Sequence, residues 1–139
     1  GVCGPLLEPR PRGLTIANRT LANAKALAER FAALGAITGC GYDELDGQTF
    51  DLIIDATSTS LNATMPPLPD GLFAADSLAY SMMYGQAESP FRTFAERQGA
   101  TRYADGLGML VGQAAEAFFV WRGIRPDCRP LMEQLLAGQ

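Results

Sequence analysis

Short apolar runs alternate with helix-like repeats along the 139-residue chain, and this alternation restricts the folds open to it. Strands that alternate with helices are joined by right-handed crossovers, which place the strands side by side in a parallel sheet. The sequence therefore predicts an α/β fold in which helices flank a parallel sheet. The predicted strands are Leu14–Ala17, Ala36–Cys40, Phe50–Ala56, Leu78–Tyr84 and Thr101–Tyr103.

The helices between these strands follow from apolar residues at helical spacing. The first runs from Leu21 to Leu34, with Thr20 as its candidate N-cap and Gly35 at its end. The segment from Thr57 to Gly71 contains three prolines and small polar residues, which predicts a loop after a strand end. The later helices are predicted at Phe91–Gln98, Leu107–Arg122 and Pro126–Leu136.

Length and composition exclude several classes of protein. At 139 residues the chain fits one domain, which we place at residues 1–139. A net charge of −4 argues against nucleic acid and anionic membranes as partners. No apolar run reaches the roughly 18 residues of a membrane span, and no secretory signal is evident. Histidine is absent, and Cys3, Cys40 and Cys128 lack paired spacing, so we expect no metal site and a cytoplasmic location.

Asn18-Arg19-Thr20 directly follows the first predicted strand. In a dinucleotide-binding fold this corner faces the adenosine ribose, where a carboxylate binds a free 2′-hydroxyl. The planar guanidinium of arginine instead offers several N–H donors in a fixed geometry to a 2′-phosphate. The tripeptide therefore favours NADP over NAD, although an arginine at a helix start is by itself more often a solvated surface residue.

A second segment, Asp105–Gln113, leads from the last predicted strand into an apolar helix. Together with Asn18-Arg19-Thr20, Phe50–Ser58, Tyr80–Tyr84 and Ser89-Pro90-Phe91, it resembles the shikimate dehydrogenase family in order and spacing over nearly the whole chain. The resemblance implies the NADP-binding portion of such an enzyme, with its C-terminal helices. It also implies a Rossmann-like parallel sheet that lacks its first strand, because the family's glycine-rich turn and N-terminal substrate domain have no counterpart here.

The resemblance assigns roles to individual side chains. Without it, Met82 and Tyr84 fit a packed core, and Gln113 fits a structural position. Three departures from the family pattern stand near these residues, since Asp55 replaces an asparagine, Ser60 replaces a glycine and Ser81 replaces an aspartate. The implied cofactor-binding residues are Asn18, Arg19, Thr20, Ala56, Thr57, Ser58, Met82, Gly106 and Met109, and the implied substrate-binding residues are Tyr84 and Gln113.

The activity implied by the resemblance is the reversible reduction of 3-dehydroshikimate to shikimate with NADPH, a step of aromatic amino-acid biosynthesis. The family takes its catalytic lysine and aspartate from the N-terminal domain. The single lysine of this chain, Lys25, lies on a predicted surface helix, so we expect no catalytic residue here and no activity of the chain alone. The implied partners are the substrate and the N-terminal domain. The resemblance is also compatible with an oligomer.

Three alternatives remain at this stage. Quinate could replace shikimate as the substrate, since no residue excludes it. The cofactor domain of glutamyl-tRNA reductase carries a similar corner, but Asp105–Gln113 argues against it. A non-catalytic NADP-binding regulatory module is also compatible with the lack of a catalytic lysine.

Overall fold

The computed structural model describes residues 2–57, 64–85 and 89–137, which form two compact units. The first unit comprises Gly1–Gln48 and Pro66–Leu72, and the second comprises Thr49–Met65 and Phe73–Gln139. Each unit contains its own parallel sheet flanked by helices. The predicted α/β class is confirmed, and all five predicted strands are present.

The first unit contains a two-stranded sheet and a covering helix. Strands β1 and β2 pair in parallel, with Leu14 opposite Ile37 and Ala17 opposite Cys40. Helix α2 continues as a 3-10 turn and ends before Gly35, as the sequence predicts. The elements of this unit are α1 (Cys3–Leu7), β1 (Leu14–Ala17), α2 (Leu21–Phe31) and β2 (Ile37–Cys40), followed by a 3-10 turn at Asp43–Leu45.

Gly39 explains how closely α2 packs on β2. A Cβ at this position would overlap the backbone of Ala24 and would lie 2.6 Å from the Lys25 nitrogen. The helix backbone therefore lies directly on the strand, and the buried Ala24 and Ala28 face it with small side chains. A larger residue at position 39 would separate the two elements.

The second unit contains a three-stranded parallel sheet in the order β3-β4-β5. Its core forms around Ala79, Phe91 and Ala95, which are almost fully buried. Helix α3 begins where the Ser89 hydroxyl accepts a hydrogen bond from the Arg92 N–H at 3.1 Å. The elements are β3 (Phe50–Asp55), β4 (Phe73–Ser81), α3 (Pro90–Arg97), β5 (Arg102–Ala104), α4 (Leu107–Arg122) and α5 (Arg129–Ala137).

Strand β4 differs most from its prediction. It begins at Phe73 because the chain pairs there with Phe50, and the register then shifts before Leu78 pairs with Leu52. Asp76 adopts a positive φ of 60° within the irregular stretch, a conformation that the sequence does not predict. The strand also ends at Ser81, so placing Tyr84 in the strand is wrong; Tyr84 lies beyond it and is half exposed.

Helices α4 and α5 leave large apolar side chains in contact with solvent. Val120, Trp121 and Ile124, at and just beyond the end of α4, are each at least two-thirds exposed, at 77%, 79% and 67%. Leu131 and Leu136 of α5 are about half exposed. Among the described residues, no helix combines the length and hydropathy needed to cross a membrane.

Candidate functional site

Four of the five strands that the structure describes end in the same local hydrogen bond. At each end, a side-chain oxygen accepts from the backbone N–H two residues later, which turns the chain sharply away from the strand. The carboxyl edge of a parallel sheet is where α/β proteins bind their ligands, so these turns shape the loops of a candidate site. The pairs are Asn18 with Thr20 at 2.9 Å, Asp55 with Thr57 at 3.0 Å, Ser81 with Met83 at 3.2 Å and Asp105 with Leu107 at 3.1 Å.

In the first unit, the loops after β1 and β2 border a cavity of about 610 Å³. Its wall contains both apolar and charged side chains. Asn18 and Thr20 do not line the cavity. The cavity is large enough to take a nucleoside with a phosphate, within the usual size of a small-molecule site. Its lining residues are Arg19, Leu21, Gly41, Tyr42, Asp43, Glu44 and Pro67.

Arg19 lies in this cavity wall, and its contact with the adenosine ribose stays a prediction. Its guanidinium makes no hydrogen bond or ion pair with any residue that the structure describes. The predicted capping role of Thr20 is wrong, because its side chain makes no cap bond and its N–H donates to Asn18 instead. Asn18 thus shapes the turn that presents Arg19.

The opposite part of the wall follows β2 and was missed by the sequence analysis. The Glu44 carboxylate accepts a hydrogen bond from the Gly41 N–H at 2.8 Å and so closes the loop. Beside it, burial raises the pKa of the Cys40 thiol, and the negative charges of Glu44 and Asp43 raise it further. The rule that pointed to Arg19, a polar residue just after a strand end, would also have found Asp43 and Glu44.

In the second unit, Gly106 brings the start of α4 against the loop after β4. The Gly106 N–H donates to the Met83 carbonyl at 2.9 Å, and the Met82 N–H donates to the Asp55 carbonyl at 3.0 Å. These bonds join the ends of β3 and β4 to the start of α4. The structure therefore brings together Met82 and Gly106, as well as the Asp55 that precedes Ala56 and Thr57.

The remaining predicted residues lie around this edge. Met109 and Gln113 are four residues apart on α4, so they share one helix face, and both are exposed. Tyr84 is half exposed in the loop after β4. Ser58 lies outside the described residues. The ligand contacts assigned to all of these side chains stay predictions.

Two of the three departures from the family pattern turn out to be neighbours, and the third, Ser60, lies outside the described residues. Asp55 and Ser81 stand opposite each other in the register of β3 and β4, and both are buried. Asp55 Oδ1 accepts from the Thr57 hydroxyl at 2.7 Å in addition to the Thr57 N–H. The Asp55 carboxylate is therefore partnered within its own loop, which lowers the cost of burying it.

Comparison with known proteins agrees with this geometry. Residues 106–137 match the model of the shikimate 5′-dehydrogenase C-terminal domain. A shikimate dehydrogenase (NADP(+)) of Nitrosospira multiformis is 55% identical over 135 residues, which cover 97% of this chain and 49% of that protein. The chain belongs to the shikimate dehydrogenase family. It spans about half the length of the curated relatives it matches.

Solved structures place the fold in the same family. An Ael1 enzyme from Pseudomonas putida has a TM-score of 0.82 and 47% identity, covering 94% of this chain and 48% of that one. A shikimate dehydrogenase in complex with NADP+ has a TM-score of 0.66 and 30% identity, covering 84% of this chain and 43% of that one. The Rossmann-like α/β fold expected for a shikimate dehydrogenase family member is thereby confirmed.

Proposed function

We propose that this chain is the NADP-binding part of a cytoplasmic enzyme that reversibly reduces 3-dehydroshikimate to shikimate in aromatic amino-acid biosynthesis. The observation that carries the proposal is the position of Arg19, a cation without a protein partner in the described residues, in a cavity at the carboxyl ends of β1 and β2. In this proposal the two units act as one NADP-binding domain over residues 1–139. The identity to NADP-dependent shikimate dehydrogenases supports it.

The residues present fit the cofactor. A guanidinium forms two parallel hydrogen bonds to a phosphate, so Arg19 would hold the 2′-phosphate that distinguishes NADP from NAD. At the second edge, Gly106 lets the start of α4 lie directly against the Met82 carbonyl, which a Cβ at this position would overlap. Met82, Gly106 and Met109 would border the nicotinamide, which exchanges a hydride with the substrate when bound.

We assign the substrate contacts to two exposed residues of the second unit. Gln113 carries an amide that both donates and accepts, which suits the hydroxyl groups of shikimate. Tyr84 offers a hydroxyl that would donate to the substrate carboxylate. Both side chains are exposed in the structure, so a ligand can reach them.

The other half of the relatives' length is the proposed partner of this chain. It would supply the catalytic lysine and aspartate, since Lys25 lies on α2 and the residues described here contain no second lysine. The exposed apolar side chains of Val120, Trp121 and Ile124 support a protein partner, because surfaces of this kind mark interaction sites.

Direct cofactor titration tests the proposal. We expect the chain to bind NADPH more tightly than NADH, because only NADPH presents a 2′-phosphate to Arg19. Enhancement of nicotinamide fluorescence or calorimetry measures both dissociation constants. Equal affinity for the two cofactors, or no binding of either, would reject the NADP assignment.

A further inference from the structure

The cavity in the first unit contains charges of both signs. Arg19 contributes a cation, while Asp43 and Glu44 contribute carboxylates, and Leu21, Tyr42 and Pro67 add apolar surface. A phosphate binds beside the cation and is repelled by the carboxylates. The carboxylates therefore need a role other than phosphate binding.

Only one of the two carboxylates is engaged with the protein. Glu44 accepts from the Gly41 N–H and thereby maintains the loop. The Asp43 side chain forms no hydrogen bond or ion pair within the described part of the chain, and it does not pair with Arg19 across the cavity. Asp43 thus presents an acceptor to whatever occupies the cavity.

Asp43 lies beside Gly41 at the end of β2. A Cβ at position 41 would lie 2.5 Å from Asp43 Oδ1, which places the exposed carboxylate next to the strand end. The carboxylate lies at the wall of the cavity, where a ligand can reach it. A carboxylate in this place can accept a hydrogen bond from a bound ligand.

We propose that Asp43 makes the site prefer adenine over other purine bases in the cofactor. In this proposal the Asp43 carboxylate accepts a hydrogen bond from the 6-amino group of adenine. This inference rests on the proposed function. The 2′-phosphate would lie at Arg19, the purine ring against the apolar surface, and the amino group at Asp43. A purine with a 6-oxo group, such as hypoxanthine, would bring an acceptor against the carboxylate and bind more weakly.

The test compares NADPH with its analogue in which hypoxanthine replaces adenine. Both carry the same phosphates and nicotinamide, so their dissociation constants differ only through the base. We expect the unaltered chain to prefer NADPH by roughly tenfold, the scale of one charged hydrogen bond. Asp43→Ala should bring the ratio of the two dissociation constants close to one. Asp43→Asn should also do so, because its amide can donate a hydrogen bond to the 6-oxo group and should therefore strengthen binding of the analogue.

Two further variants separate this inference from the proposed function. Asp46→Asn removes a nearby exposed charge outside the cavity wall and should leave the ratio unchanged. Arg19→Ala should weaken both ligands equally and also preserve the ratio. If Arg19→Ala weakens both ligands but Asp43→Ala leaves the preference intact, the role of Asp43 is refuted and the NADP site stands. Failure of the unaltered chain to bind either ligand overturns both.

Discussion

Gly106 packs so closely against the Met82 carbonyl that a side chain at position 106 would overlap it. The carbonyl carbon of Met82 would lie 2.9 Å from a Cβ built on Gly106, which is shorter than any stable contact. The hydrogen bond from the Gly106 N–H to the Met83 carbonyl completes the contact. Glycine is therefore needed here for close backbone approach, which explains its place in the segment that resembles the family.

Substitution of this glycine should be costly. Gly106→Ala should lower the free energy of unfolding by about 1–3 kcal/mol, because the neighbouring atoms are backbone and cannot rotate away. Urea denaturation followed by circular dichroism measures the change. Gly112→Ala is the matched control: a Cβ there meets no atom within 4 Å, so this helical position should gain roughly 0.5–1 kcal/mol. Equal effects of the two substitutions would contradict the packing argument.

Arg19 should determine the preference between cofactors. Arg19→Ala should weaken NADPH binding by about tenfold or more, because a charged hydrogen bond to the 2′-phosphate is lost, and should change NADH binding little. Calorimetric titration of both cofactors measures the effect. Arg30→Ala, an exposed arginine at the end of α2, controls for a general change in charge. A similar loss for both cofactors would show that Arg19 does not contact the 2′-phosphate.

Much of the fold could be predicted because it depends on local pattern. The apolar runs of β1, β2 and β3 and the helical spacing of α4 appear in the structure within a residue of their predicted bounds, and α2 reaches its predicted end only through its 3-10 turn. Strand β4 could not be predicted over its full length, since its start depends on pairing with Phe50 and includes a positive φ at Asp76. Such pairing is a tertiary effect that local propensity does not contain.

The candidate site was predicted in part. Arg19 was found because its position after a strand has a direct chemical meaning. The sequence analysis assigned Thr20 a helix-capping bond that is absent, and it did not predict the turn in which the Asn18 side chain accepts from the Thr20 N–H. Asp43 and Glu44 were missed although they follow β2 as Arg19 follows β1, and the pairing of the two strands places both loops at one cavity.

Gln113 should affect the substrate and leave the cofactor unaffected. In the protein that contains both halves of the relatives' length, Gln113→Ala should weaken shikimate binding by roughly fivefold or more, the scale of a lost hydrogen bond. Saturation-transfer NMR with shikimate and fluorescence titration with NADPH measure the two affinities. Gln134→Ala, on the exposed surface of α5, is the control. Loss of NADPH binding alone would show that α4 faces the cofactor instead.

The chain by itself should not oxidise shikimate. Its described residues offer no second lysine beside Lys25, and a positioned acid or base typically supplies about 10²–10⁴-fold of a reaction rate. Absorbance of reduced nicotinamide, followed with shikimate and NADP, measures the rate. Addition of the other half of a relative's length as a separate polypeptide is the positive control. Turnover by the repurified chain alone would show that it contains its own proton-transfer group.

Cys40 should make stability depend on alkaline pH. Burial, together with the negative charges of Glu44 and Asp43, raises the pKa of its thiol above the ordinary value of 9.0. The folded state therefore favours the neutral thiol more strongly than the unfolded state does. This contribution to stability is fully present below the unfolded pKa and is lost as the pH rises through the folded pKa.

The sign of this effect gives a specific comparison. As the pH rises above 9.0, the unaltered chain should lose more free energy of unfolding than Cys40→Ser, whose hydroxyl does not ionise in this range. Urea denaturation at a series of pH values measures both slopes, so a constant offset caused by the substitution does not matter. Cys128→Ser removes a less buried thiol and should keep the steeper slope. Parallel profiles for the unaltered chain and Cys40→Ser would mean that burial and the neighbouring carboxylates do not raise the pKa of the Cys40 thiol.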